Sequence, residues 1–267
     1  MGVTELIRTA GHTYRESMPA EESGDPVLLL HGFPESSRMW EPLMEALSDE
    51  GRRCVAPDLY CLGDSLDPGP ATFERNLGAL TDLHGELDMG RVALVVHDWG
   101  GFIGLAWACE HPDLVSALVI SDAGFFSDGK WHGMAEAIRS PQGEEIMAAV
   151  DREGFAALLQ ADGAFSDEDI DAYWRPFAEG RGREATVEFY RSMDFEKLEP
   201  YKDCLAGLGV PTLLVWGAED QFAPLSGAKR FEREIPGARI AAFEGAGHFV
   251  FDQERERTVR EVVDFLA

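Results

Sequence analysis

The stretch RVALVVHDWGGFIGLAWACEHP, residues 91–112, decides how this sequence is read. Val92–Val96 is a near-continuous apolar run, as a strand buried on both faces should be. Phe102–Glu110 has the spacing of an amphipathic helix. Between them stand His97, Asp98, Trp99, Gly100 and Gly101. This is the small-x-nucleophile-x-small layout, in which a strained strand-to-helix turn exposes one side chain above a sheet. Here that side chain is an aspartate, Asp98, and not a serine. Gly100 and Gly101 let neighbouring backbone come close. The amide of Trp99 points at the same place, near the positive end of the helix. Taken alone, Asp98 could be an ordinary helix N-cap. The rest of the chain argues for more.

Outward from this stretch, short apolar runs alternate with amphipathic ones, the mark of βα units and a mostly parallel sheet. The spacing predicts strands at Val27–Leu30, Arg53–Ala56, Val92–Val96, Ala117–Ser121, Thr212–Trp216 and Arg239–Phe243. Helical patterns fall at Trp40–Asp49, Thr72–Leu87, Phe102–Glu110, Leu225–Glu234 and Glu254–Leu266. The rhythm breaks after Asp122. Trp131–Arg139, Glu144–Leu159, Asp167–Phe177 and Arg183–Met193 are helical patterns with no strand among them. The expected division is a core of residues 1–122 and 210–267, with a helical cap of residues 123–209 inserted over the sheet edge. Residues 63–71 (GDSLDPGPA) are expected to form a rim loop.

Chemistry-bearing residues recur where strands end. His31-Gly32-Phe33-Pro34 follows Val27–Leu30, where a second oxyanion-hole amide would stand. Asp220 follows Thr212–Trp216, and His248 follows Arg239–Phe243. The order nucleophile, acid, histidine is that of an α/β-hydrolase. Asp122, just after Ala117–Ser121, is an alternative acid.

Of the 267 residues, 49 are acidic and 23 basic, so the formal charge is −26; 45% are apolar and 27% charged. So acidic a chain would be repelled by nucleic acid and by anionic membranes. Neither is an expected partner, and most of the charge reads as solvated surface. The four cysteines (54, 61, 109 and 204) form no CxxC pair and are expected to be free thiols in a reducing compartment. The first residues carry no secretory pattern and Leu6 disfavours myristoylation, so the expectation is a cytoplasmic protein, monomer or homodimer. No cofactor and no metal are expected.

The strings HGFPES (31–36), APDLYCLGDS (56–65), VHDWGG (96–101), WGAEDQF (216–222) and GAGHF (245–249) resemble the α/β-hydrolase superfamily over the whole chain. The resemblance is to its aspartate-nucleophile branch, which holds epoxide hydrolases and haloalkane dehalogenases. It implies an α/β-hydrolase fold with an inserted helical cap. It also implies attack by Asp98 on an sp³ carbon, and hydrolysis of the resulting alkyl ester by water that His248 activates and Asp220 supports. The backbone amides of Phe33 and Trp99 would form the oxyanion hole.

Within that branch the leaving group is set by the cap. Epoxide hydrolases resemble one another in two cap groups, usually tyrosines, that hydrogen-bond the epoxide oxygen. Val187-Glu188-Phe189-Tyr190-Arg191 matches the second position, so Tyr190 is a candidate acid, the alternative being a packing residue. No tyrosine stands at the first position; His132 occupies that region. Haloalkane dehalogenases hold a halide on indole N–H groups, for which Trp99 and Trp131 are candidates. Trp99 and Phe102 stand where haloacid-specific relatives carry arginines. The resemblance thus implies a small apolar substrate, an epoxide first and a haloalkane second. A non-catalytic ligand-binding member of the fold is the reading from another class.

Overall fold

The apolar runs form the parallel part of a single sheet. In the computed structural model the strands are β1 (Thr4–Arg8), β2 (Thr13–Ser17), β3 (Val27–Leu30), β4 (Cys54–Pro57), β5 (Val92–His97), β6 (Val115–Ser121), β7 (Thr212–Gly217) and β8 (Arg239–Phe243). They lie in the order β1-β2-β4-β3-β5-β6-β7-β8. The structure describes residues 4–65, 68–162 and 165–267. Part of the predicted 63–71 loop, Leu66 and Asp67, lies outside them. Pairing is parallel from β4 to β8, while β1 and β2 run antiparallel at one edge. All six predicted strands are present. The β1–β2 hairpin is additional: TELIR is largely half-exposed, and TYRES, although Tyr14, Arg15 and Ser17 are buried, is interrupted by charge, so neither forms a continuous apolar run.

Helices α1 (Glu41–Asp49), α2 (Phe73–Glu86) and α3 (Trp99–Glu110) connect β3, β4, β5 and β6. Side chains of β3 alternate between two cores, as the pleat requires. Leu28 and Leu30 face α2 and α3, while Val27 and Leu29 face α1 and the C-terminal helix. Helix α3 is buried on every side from Trp99 to Ala108. Such burial contributes about 1.5–3 kcal/mol for each large apolar side chain, and it anchors the turn that carries Asp98.

Between β6 and β7 come α4 (Gly133–Arg139), α5 (Gly143–Ala149), α6 (Arg152–Asp162), α7 (Asp167–Glu179), α8 (Gly182–Ser192) and α9 (Cys204–Leu208). After β7 follow α10 (Ser226–Glu234), α11 (Val250–Gln253) and α12 (Arg255–Leu266). The predicted helix Glu144–Leu159 is two helices, α5 and α6. The Val150 carbonyl accepts from Arg183 at 2.9 Å, and Asp151 restarts the chain by accepting the Gly154 amide at 2.8 Å.

The cysteine expectation needs correction. Cys109 and Cys204 form a disulfide, with Cα atoms 5.8 Å apart. Cys109 lies in the last turn of α3, against α9 where the chain returns from the inter-strand helices. A bridge spanning 95 residues leaves no trace in local spacing. Cys54 and Cys61 keep their thiols, and burial pushes the Cys54 thiol up to about 12. Among the described residues no helix is long and apolar enough to cross a membrane.

Candidate active site

Strand β5 delivers Asp98 into a conformation that only its surroundings sustain. Asp98 has φ 45° and ψ −115°, a sparsely populated region that costs about 1–3 kcal/mol for a non-glycine residue. The sharp turn brings the start of α3 against β3, and a Cβ on Gly100 would lie 2.3 Å from the Leu30 carbonyl oxygen. Gly32 is equally constrained, since its Cβ would meet that of Asp98 at 2.4 Å.

The Phe33 amide donates to Asp98 Oδ2 at 2.8 Å. His31, fully buried, sets up that contact. Its Nε2 accepts the Leu59 amide at 3.0 Å, which leaves the proton on Nδ1 to bond the Gly32 carbonyl at 2.8 Å. Because the Gly32–Phe33 peptide is planar, holding its carbonyl fixes where the Phe33 N–H aims. Oδ2 of Asp98 is thereby committed to an amide donor, and Oδ1 is the oxygen nearer His248, at 3.8 Å from Nε2. The side chain of Asp98 is 21% exposed.

The loops after β7 and β8 bring Asp220 and His248 together. His248 Nδ1 lies 2.8 Å from Asp220 Oδ2. The other oxygen of Asp220 accepts the Phe222 and Ala223 amides at 2.7 and 2.9 Å. Against the cost of burial, the His248 imidazolium and these amides hold the Asp220 carboxyl below its ordinary value. Burial works against the imidazolium of His248 too, but Asp220, Asp98 and Asp122 together raise it to about 10. Asp122 is fully buried and spends its oxygens differently, accepting the Ser121 hydroxyl at 2.6 Å and the Gly217 amide at 3.0 Å. Burial and the nearby Asp220 push its carboxyl well up. Asp220 is the acid that touches the imidazole, and Asp122 stands behind it.

Sequence reasoning missed a second buried group. His97 packs 5.0 Å from the His248 ring and places Nε2 3.2 Å from Glu35. Burial lowers His97 to about 4 and raises Glu35 to about 7, and it carries Asp252 well up beside Glu35. Two of these three lie in the strings HGFPES and VHDWGG. No periodicity or spacing marked them as a cluster beneath His248.

The helices between β6 and β7 supply the walls. A cavity of about 220 Å³ reaches Asp98 and is walled by Trp99, Phe102, Trp131 and Phe195, with His132 and Tyr190 also on its lining. A cleft of about 420 Å³ beyond Phe126 does not reach Asp98. Trp99 is stacked between Phe33 and Phe189, at 4.9 and 3.9 Å between ring centroids, and Tyr190 meets it edge-on at 4.9 Å. Burial, with the Asp98 carboxylate adding to it, carries the Tyr190 phenol far above its ordinary value. His132 caps α4, its Nδ1 accepting the Ala135 amide at 3.4 Å, and burial lowers its imidazole. The indole N–H groups of Trp99 and Trp131 are buried without an acceptor, as are those of Trp40 and Trp107 away from the cavity.

A family model described as alpha/beta hydrolase fold matches residues 25–255. A cis-3-alkyl-4-alkyloxetan-2-one decarboxylase of Shewanella oneidensis is 26% identical over 92% of this chain and 83% of its own. A haloalkane dehalogenase of Sphingobium indicum is 35% identical over 65% of this chain and 63% of its own. An epoxide hydrolase 3 of Siraitia grosvenorii is 28% identical over 91% of this chain and 92% of its own.

Proposed function

The chain is an enzyme of the alpha/beta hydrolase fold family, and from that premise we propose that it opens small or medium apolar epoxides to diols. The observation that carries this reading is the Tyr190 phenol, buried and held protonated on the wall of the cavity that Asp98 enters. A phenol in that state gives a proton to an alkoxide as it forms. His132, neutral and with Nδ1 occupied by the Ala135 amide, carries its proton on Nε2 and offers a second donor. The helices between β6 and β7 act as the cap.

In the first half-reaction Asp98 Oδ1 attacks a ring carbon and the C–O bond breaks. The ring oxygen takes the phenolic proton of Tyr190, leaving an alkyl ester on Asp98. That ester has lost the carboxylate charge that helped hold His248 protonated. The imidazolium proton then restores the phenol, and His248 becomes a free base. In the second half-reaction it takes a proton from water, which attacks the ester carbonyl. Asp220 stabilises the imidazolium that re-forms. The developing oxyanion is Oδ2, already on the Phe33 amide, with the Trp99 amide as its second donor. The tetrahedral intermediate collapses by breaking the acyl C–O bond, and the leaving alkoxide takes the proton of the re-forming Asp98 carboxyl, so the diol carries away the former Oδ1 and the water oxygen stays in the carboxylate.

Haloalkane dehalogenation is the second reading, favoured by the unpartnered indole N–H groups of Trp99 and Trp131 on the same cavity. Trp40 and Trp107 share that condition elsewhere, so it weighs less than the phenol. The two readings separate in the His248→Gln variant, incubated with epoxide and haloalkane panels and weighed intact. An adduct of whole-epoxide mass on Asp98, slowed at least tenfold by Tyr190→Phe, is expected. An alkyl adduct with halide release, indifferent to Tyr190→Phe, would replace epoxide opening with dehalogenation. A folded variant that binds these ligands and forms no adduct would overturn both in favour of a ligand-binding protein.

A further inference from the structure

Asp98 opens onto two chambers of very unequal size. Asp98, His132, Tyr190 and Phe222 line both and form the waist between them. One chamber is the aromatic cavity of about 220 Å³. The other measures about 20 Å³ and is lined by Phe33, Pro34, Met134, Leu158 and Phe249, with His248 on its wall. His248 does not line the larger chamber. A dry cavity of about 150 Å³ is enough to hold benzene, whereas a single water needs about 10–15 Å³. The larger chamber therefore accommodates a phenyl ring against Trp131 and Phe195. The smaller one accommodates one water and offers it His248 and Asp98 as polar partners.

Resting on the epoxide reading, we infer that the enzyme takes terminal epoxides bearing one aromatic or bulky apolar substituent, and excludes trans-disubstituted ones. In-line attack at Asp98 with the ring oxygen on Tyr190 holds the ring at the waist. The two arms of a trans-disubstituted epoxide leave opposite carbons on opposite faces. No rotation of the ring about the attack line puts both in the larger chamber. One arm must enter the small chamber, where it meets Leu158 and Met134 and occupies the place beside His248 from which water attacks. A terminal epoxide leaves that place to water.

The test compares styrene oxide with trans-2-phenyl-3-propyloxirane, which keeps the same phenyl arm and adds a second. Wild-type enzyme is expected to favour styrene oxide at least a hundredfold in kcat/KM. Leu158→Ala and Met134→Ala, each widening the small chamber from a different helix, should cut that preference at least tenfold by raising turnover of the propyl compound. Using two variants keeps the test valid if one fails to fold, which circular dichroism would show. Wild-type rates within threefold of each other would overturn the inference alone, as would a folded variant of either kind with unchanged preference. Absence of turnover and of any Asp98 adduct, in wild type and in His248→Gln with every epoxide tried, would overturn the epoxide reading and this inference with it.

Discussion

The charge on Asp98 controls the proton on His248, and replacing Asp98 by Asn should lower the pKa of His248. The imidazole is raised to about 10 by Asp220, Asp98 and Asp122 working against burial. With Nε2 3.8 Å from Asp98 Oδ1, the attraction is about 4 kcal/mol at an effective dielectric of about 20, and about 1 kcal/mol in bulk water. Asp98 is one-fifth exposed, so its interaction lies between those limits. At about 1.4 kcal/mol for each tenfold change, removing the charge lowers the pKa by roughly one to three pH units. Asn is the substitution that isolates charge. Like Asp, it tolerates positive φ better than most non-glycine residues, and its carbonyl oxygen can keep the Phe33 amide.

The assay is a pH titration of ¹⁵N-histidine-labelled protein by NMR, following the His248 ring nitrogens in wild type and Asp98→Asn. Stability carries the same signal. With its folded pKa raised above 6.5 to about 10, His248 contributes stability that is fully present below about pH 6.5. That contribution is lost as pH climbs through about 10. In Asp98→Asn the loss should come at lower pH. A His248 pKa that moves by less than about half a pH unit would refute the idea that esterification frees the base, and the base would then need another way to shed its proton.

Three further outcomes follow from the geometry. Gly100→Ala should destabilise the protein by about 1–3 kcal/mol or more, because its Cβ meets backbone. Gly78→Ala, at an exposed position of α2 with nothing within 4 Å, should instead gain about 0.5–1 kcal/mol; urea denaturation measures both. Alkylation of denatured, unreduced protein should add two equivalents, at Cys54 and Cys61, and reduction should expose Cys109 and Cys204. Breaking so long a loop should cost about 4–5 kcal/mol on the chain-entropy account, read as a drop in melting temperature. Glu35, raised from 4.5 to about 7, keeps its proton in the fold after the unfolded chain has lost it. Its burial therefore lowers stability as pH rises from about 4.5 to 7, by roughly 3 kcal/mol in all. Glu35→Gln should remove that decline from a series of urea melts, and an unchanged pH dependence would show that Glu35 is not the group responsible.

The inner parallel strands were legible because burial on both faces leaves an uninterrupted apolar run, while β8, at the sheet edge, keeps an apolar run that is only partly buried. Val27–Leu30 and Thr212–Gly217 are the plainest cases. The edge hairpin lacked that signature, since charged residues interrupt both Thr4–Arg8 and Thr13–Ser17, even where Tyr14, Arg15 and Ser17 are buried. What failed elsewhere failed for reasons of distance along the chain. The break between α5 and α6 depends on Arg183, some thirty residues after Val150. The partner of Cys109 lies 95 residues away.

The candidate site divides in the same way. Asp98, Asp220 and His248 were legible because each follows the C-terminal end of a parallel strand, where one fold rule collects them. The choice between Asp122 and Asp220 was open in the sequence because both obey that rule. It turns on side-chain direction: Asp122 faces Ser121 and the Gly217 amide, and Asp220 faces the imidazole. Asp122 is still coupled electrostatically to the site. It counts among the groups that raise His248, and its own carboxyl is raised by burial and by Asp220. Burial beside Asp220 disfavours the ionised form of Asp122, so Asp220 is the standing charge on the Nδ1 side of the imidazole. On the epoxide reading, His248 gives up its proton in the ester and regains it from water within one turnover, because the charge that changes during that reaction is the charge on Asp98.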